Sequence, residues 1–536
     1  MLYKYLFFCL FSSFFINAQV FTQRDSLQGS LRKERTCFDV LRYDLSIEVF
    51  PEDKKISGYN EITFKTVDFT NKIQLDLFEN MAIDSILLEG KKLNYTRKFD
   101  AVFIDFQNIL TKNSIYKLQF HYHGKPLEAK NAPWDGGFVW KKDKFGKPFI
   151  GVAVQGTGAS LWYPVKDHQS DEPNNGASIK VIVPQGLINV SNGIFVARED
   201  LENNRNSYLW EVKNPINNYN IVINIADYVN IEDQYNDLKI NYYVLRENEV
   251  KARKHFEEVK PMLECFETKF GSYPFKEDSY KLVETPYLGM EHQSAIAYGN
   301  QYKKGYLGFD ATETGIGLLF DYITIHETAH EWFGNSITSI DIADMWIHES
   351  FTTYAESVFV ECRYGYEKAQ EYINGQKRLI SNQKPVVGQF GVNFKTGNSD
   401  MYYKGALMLN TLRHVVNNDE KWWKLLKDYS INFKHKIIEK KDVISYFNQQ
   451  LNMDLTAIFN HYLLKKEIPI LEIIQSKKKI EYRWKNVSKD FKMPIDIVLN
   501  NGEKFRIFPN YDWQTLKEKN IKISKNKFLI NIEYNE

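Results

Sequence analysis

Two histidines one helical turn apart constrain this chain more than any other feature. His326-Glu327-Thr328-Ala329-His330 lies where Leu318, Leu319, Tyr322, Ile323, Ala329, Trp332 and Phe333 recur at helical spacing, with Gly334 placed to end the helix. Residues four apart on a helix face the same way, so both imidazoles can reach one cation. A zinc–nitrogen bond of about 2.0–2.1 Å suits that arrangement. Glu327 is rotated by about 100° from His326, which puts it beside the cation and not on it. That is where a base for a metal-activated water belongs.

Such a pattern can arise by chance among 11 histidines in 536 residues, so its neighbours must support it. The support is residues 344–364. Asp344 is the expected N-cap, apolar residues recur at 347, 351, 354, 355, 358, 359 and 362, and Gly365 can end the helix. Glu349 falls in the first turns of that helix, with 18 residues between it and His330. A helix returning antiparallel would present Glu349 to the same cation. Two histidines, one glutamate and an open fourth position for water make a catalytic zinc set and not a closed structural one. One Zn²⁺ per chain is expected, on His326, His330 and Glu349.

The expected fold class is multidomain α+β. A chain of 536 residues exceeds one ordinary core. Residues 19–232 read as a β domain, because runs such as 43–50, 116–122 and 179–183 alternate or are β-branched between turn residues. A saddle or sandwich is expected there. Residues 233–466 read as mainly helical and carry the metal motif. Residues 467–536 contain strand-like runs at 495–499, 505–508 and 528–534 and read as a small C-terminal β module.

The first 18 residues read as a signal peptide: Lys4, an apolar run over 5–16, and a small residue, Ala18, before the expected cleavage point. That run is too short to span a bilayer comfortably, and no second long apolar stretch follows. The mature chain is therefore expected to carry no integral membrane segment and to be exported, to the periplasm or beyond. Lys+Arg 69 against Asp+Glu 68 leaves a net charge of +1, which gives nucleic acid no basic surface to prefer. Outside the signal, Cys37, Cys265 and Cys362 are odd in number and widely spaced. They are expected to be buried small hydrophobes, not a disulfide framework or a metal site.

Beyond the metal motif, His326 to Ser339 (HETAHEWFGNSITS) and the Glu349 helix together resemble the alanyl aminopeptidase family of gluzincins, which includes aminopeptidase N and leukotriene hydrolase. The resemblance covers most of 38–465 and implies a β domain followed by a thermolysin-like catalytic domain. It implies a zinc metallo-aminopeptidase, whose partner is the free N-terminus of a peptide or protein. Leu288-Gly289-Met290-Glu291-His292 is similar to the family's Gly-Ala-Met-Glu-Asn, so Glu291 matches the glutamate that binds the substrate's α-amino group, with Gly289 and Met290 beside it. A carboxylate at a fixed distance from the metal acts as a ruler that leaves room for one side chain before the scissile carbonyl. Tyr402-Tyr403-Lys404-Gly405 resembles the family's Tyr-x-Lys-Gly, so Tyr402 matches the oxyanion-stabilising tyrosine, with Tyr403 the competing register. Gln155, ahead of Trp162-Tyr163-Pro164, resembles the β-domain glutamine that helps hold the substrate N-terminus.

The sequence departs from that pattern at Leu288, His292, Glu331, His348 and Ser350. His348 is expected to pack behind the site and not to ligate, because its neighbour Glu349 occupies the facing position. The long C-terminal helical domain of many members is not expected, which implies a more open cleft. Two other functions fit parts of the pattern: a thermolysin-type zinc endopeptidase, and a non-catalytic peptide-binding member. Glu291 argues against the first, and Glu327 with Tyr402 against the second.

Overall fold

The structure is a computed structural model that describes residues 21–393, 399–476, 478–518 and 520–535. The expected signal at 1–18 lies outside the described residues.

After two short helices, Gln23–Gly29 and Lys33–Thr36, the N-terminal region is mainly β, for the reason its sequence alternates. Phe38–Phe50 buries every second side chain over most of its length, which gives the strand one core face. It pairs antiparallel with Lys55–Thr66 and parallel with Ala177–Pro184 at the centre of an eight-stranded sheet. A four-stranded sheet (137–142, 148–153, 188–190 and 224–226) and a three-stranded sheet (70–76, 94–98 and 101–110) complete the region. Their inward faces share one core that includes Tyr43, Trp162 and Trp210.

A mixed five-stranded sheet then runs through Tyr228–Tyr235, Leu238–Leu245, Tyr280–Glu284, Ile296–Tyr298 and Gly289–Met290. The mainly helical reading of 233–466 does not hold over this stretch. The strands at 280–298 are short and buried on both faces, so they show no alternation to read. One side of this sheet packs on the β core and the other on the helical core. Gly289–Met290 is its edge strand and borders the cleft.

Four helices frame the site: Val259–Phe270, Tyr322–Ala329, Trp346–Tyr364 and Tyr403–Val416. Gly271 and Gly365 end the first and third with φ of +92° and +90°. Asp344 is not the N-cap that its sequence position suggested. The helix starts at Trp346, and the Asp344 carboxylate instead accepts from Trp346 Nε1 (3.0 Å) and the Lys440 backbone N–H (3.1 Å).

The cysteines require a second correction. Cys265 and Cys362 form a disulfide with Cα atoms 6.1 Å apart. They are 97 residues apart in sequence and meet only because the helix 259–270 packs beside the helix 346–364. Cys37 alone keeps the expected state, unpaired and buried.

The C-terminal strands, from Ile470–Gln475 to Asn531–Asn535, form a four-stranded and a three-stranded sheet. Their buried residues join the helical core without a break. Tyr462 Oη donates to the Leu529 carbonyl (2.7 Å), and Lys404 Nζ donates to the carbonyls of Lys465 and Lys466 (both 2.8 Å). Among the described residues no helix is long and apolar enough to cross a membrane.

Candidate metal centre and peptide cleft

The first of the two metal helices begins at a strong cap. Asp321 accepts from the Thr324 N–H (3.0 Å) and is itself held by Tyr298 Oη (2.8 Å) and His255. The helix breaks after His330, where Gly334 takes φ +132°. A Cβ at Gly334 would lie 3.0 Å from His330 Nδ1, so the turn needs glycine. The break brings the Phe333 carbonyl within 2.9 Å of His330 Nδ1, and Thr352 Oγ1 lies 3.1 Å from the same nitrogen. The Nδ1–H of His330 donates to the carbonyl, which leaves Nε2 as a free lone pair.

His326 is oriented by a carboxylate. Its Nδ1 lies 2.7 Å from Glu356 Oε1, while Tyr372 Oη (2.7 Å) and Gln376 Nε2 (3.1 Å) donate to Glu356 Oε2. This again leaves Nε2 free. The second helix projects Glu349 between the two rings, with Oε2 3.6 Å from His326 Nε2 and 3.4 Å from His330 Nε2. One ligand atom from each of the three side chains lies within 4.8 Å of the others. Glu349 Oε2 is buried without a hydrogen-bond donor. Two imidazole lone pairs and an orphaned carboxylate oxygen fit a divalent cation better than they fit one another.

Glu327 points into the same space. Burial, above all, pushes its carboxyl up to about 7, and the nearby Glu291 and Glu349 carboxylates add to that. The edge strand lies so close that a Cβ at Gly289 would come within 2.6 Å of Ile323 Cγ2 and 3.0 Å of Glu327 Oε1. Glycine is required there for the strand to approach the helix. Gly289, Met290 and Glu291 all line the cleft.

Glu291 completes a second convergent set, with ligand-type atoms of Glu291, Glu327 and His330 also within 4.8 Å of one another. Its Oε1 accepts from Gln155 Nε2 and from Tyr219 Oη (3.3 Å). Burial raises its carboxyl above the usual range. Tyr402 stands at the N-cap of the helix 403–416 and, unlike Tyr403, lines the cleft. Its ring centroid is 6.2 Å from that of His326. Burial and the neighbouring Glu349 and Glu291 carboxylates push its phenol well above the ordinary value, so it stays protonated at neutral pH.

All nine candidate residues therefore meet around one cleft of about 600 Å³, set between the β region and the helices. The sequence departures are accommodated in apolar or hydrogen-bonded settings. His348 accepts from the Ser339 N–H (2.8 Å) and packs behind the site. Glu331 accepts from Tyr273 Oη (2.8 Å), the Ser294 N–H (2.9 Å) and Asn335 Nδ2 (3.2 Å). His292 is fully buried, and burial pulls its pKa to about 3, so the ring is neutral.

Sequence reasoning missed Glu356, Thr352 and Tyr219. Glu356 had a usable signal, since it follows Glu349 by seven residues and so shares its helix face two turns on. Tyr219 had none, because a 3₁₀ turn of the β region delivers it.

Comparison with known proteins points one way. Residues 40–219 match the peptidase M1 N-terminal domain and residues 254–462 the peptidase family M1 domain. A leucyl aminopeptidase of Saccharolobus solfataricus is 21% identical over 84% of this chain and 56% of its own length. Aminopeptidase B of Rattus norvegicus is 28% identical over 23% of this chain and 21% of its own length. The chain thus spans about half the length of a curated relative it matches along most of its own. The crystal structure of an M1 zinc metallopeptidase from Deinococcus radiodurans superposes with a TM-score of 0.65 at 20% identity, covering 81% of this chain and 94% of that one. A mutant of that metallopeptidase bound to a Tyr-Ser-Ala substrate gives 0.66 at 19% identity, over 81% and 95%. The two matched domains lie in the order and on the halves of the molecule that build the cleft, and by them the chain belongs to peptidase family M1.

Proposed function

We propose that the protein is a zinc aminopeptidase, which hydrolyses the first peptide bond of substrates with a free N-terminus. The observation that carries this reading is the position of Glu291. A buried carboxylate, already oriented by Gln155 and Tyr219, sits within one residue's reach of the His326, His330 and Glu349 set. An endopeptidase has no use for an ammonium anchor that close to the reacting carbonyl.

His326, His330 and Glu349 would hold the ion. When bound, Zn²⁺ supplies a Lewis acid that polarises the carbonyl and acidifies water. The remaining work falls to this chain's own side chains. Glu291 and Gln155 bind the α-ammonium and fix the first residue, so that the first peptide carbonyl faces Glu327. Glu327 takes a proton from the attacking water and returns it to the leaving amine. Tyr402 donates a hydrogen bond to the carbonyl oxygen as negative charge develops on it, which its protonated phenol can do without adding a charge.

Export belongs to the same reading. The Cys265–Cys362 disulfide supports an oxidising compartment, periplasmic or extracellular. Fractionation of expressing cells, with N-terminal sequencing of the mature chain, tests it: a protein in the cytosol that begins at Met1 sinks export.

The activity test compares aminoacyl anilides with the same compounds N-acetylated. Cleavage of the free-amine set alone is expected. Equal cleavage of both sets would replace the aminopeptidase with an endopeptidase.

A further inference from the structure

The cleft is closed at one end by a segment that the metal chemistry does not use. Gln23–Gly29 form a short helix, capped reciprocally by Thr22 and Asp25, that lies on the β region. Arg24 holds Asp100 with two hydrogen bonds (2.6 and 2.8 Å), Gln74 Nε2 donates to the Leu27 carbonyl (3.1 Å), and Arg35 donates to the Gln28 carbonyl. The same segment also meets residues 392–393. The Asn393 N–H donates to the Asp25 carbonyl (2.9 Å). A Cβ at Gly29 would fall 2.1 Å from backbone atoms of Val392 and Asn393, so the two segments can approach this closely only with glycine there.

This strap lies next to the ammonium anchor. Gln28 Nε2 donates to the Thr157 carbonyl (2.9 Å) and to Asp167 Oδ2 (3.1 Å). Thr157 follows Gln155 by two residues, at most about 7 Å of chain. Gln28, Gly29, Val392 and Asn393 line the same cleft as Glu291 and Tyr402.

Two buried carboxylates also line this end. Asp167 accepts from the N–H groups of Ala159 and Ser160 (both 3.2 Å) and from Ser160 Oγ (2.5 Å). Asp341 accepts from the N–H groups of Ala343 (2.9 Å) and Gly391 (3.0 Å). Trp134, Met290, Val392 and Met401 supply apolar lining.

We propose that the strap 22–29, clasped to residues 392–393, is the end wall of the pocket for the substrate's first side chain. The proposal rests on the aminopeptidase reading. It makes Gln28 and Gly29, far from the metal motif in sequence, determinants of specificity.

The test is a panel of alanyl, leucyl, methionyl, phenylalanyl, arginyl and glutamyl anilides, measured with the wild type, Gln28→Ala and Gly29→Val. Each variant is expected to change the ratio of kcat/KM between leucyl and alanyl anilides by on the order of tenfold. A general folding defect lowers all rates together and leaves that ratio alone. If Gly29→Val does not fold, Gln28→Ala carries the test. An active wild type whose variants keep its ratios overturns the strap's role. A wild type that cleaves no free-amine anilide overturns the aminopeptidase reading and the strap proposal together.

Discussion

The two ends of the cleft are built in opposite ways. The metal end comes from two consecutive helices, Tyr322–Ala329 and Trp346–Tyr364, whose three facing side chains lie within 24 residues of sequence. The ammonium end is assembled from Gln155 and Tyr219 of the β region, Glu291 of an edge strand, and the strap at 22–29. Helical geometry alone fixes most of the first set, since spacings of four and seven residues dictate which side chains share a face. Only the docking of the two halves of the molecule creates the second. Local substitutions at the metal end should therefore act on turnover, and those at the ammonium end on substrate affinity and choice.

The sharpest way to break this contrast is at the base. Glu327→Gln should lower kcat by about 10²–10⁴-fold while zinc stays bound. Metal analysis of the purified variant beside its turnover checks both halves, and a variant that keeps near-normal kcat removes Glu327 from its role. Tyr402→Phe comes next. It should cost roughly 10²–10³-fold in kcat with little change in KM. A loss confined to KM would move Tyr402 from the oxyanion to the binding side of the comparison.

Glu356→Gln sharpens the metal end, because it alters the partner of His326 and no proposed ligand. Zinc affinity should fall about 10–100-fold, as read by competition with a chelator. Unchanged affinity would show that helix packing alone orients the ring. Gln155→Ala probes the other end and should be the mildest. Its single hydrogen bond to a charged group is worth about 1.5–3 kcal/mol, which raises KM by roughly tenfold or more and leaves kcat near that of the wild type. A fall in kcat equal to the loss in kcat/KM would mean that the ammonium end acts in the transition state too, and the division between the ends would fail.

How much was legible follows the same line. His326, Glu327, His330 and Glu349 are marked by spacing, and the strand at 43–50 by alternation, so both could be read before folding. The sheet at 280–298 was not legible, because buried short strands carry no period of two. The disulfide was not, because nothing within either sequence neighbourhood of Cys265 or Cys362 encodes a contact over 97 residues. The Asp344 cap was misplaced by one residue, since Met345 is the N-cap and the Asp344 carboxylate serves Trp346 and Lys440 instead.

The sequence by itself determined the helices, the facing of their ligands, and the alternating strands, since each of these depends on bond geometry and side-chain period over a few turns. Tertiary structure decided which carboxylate steadies His326, which tyrosine of the 402–403 pair enters the cleft, and what closes it beyond Gln155. Those depend on where distant surfaces meet, and the meeting is fixed by burial of the shared cores rather than by any local pattern.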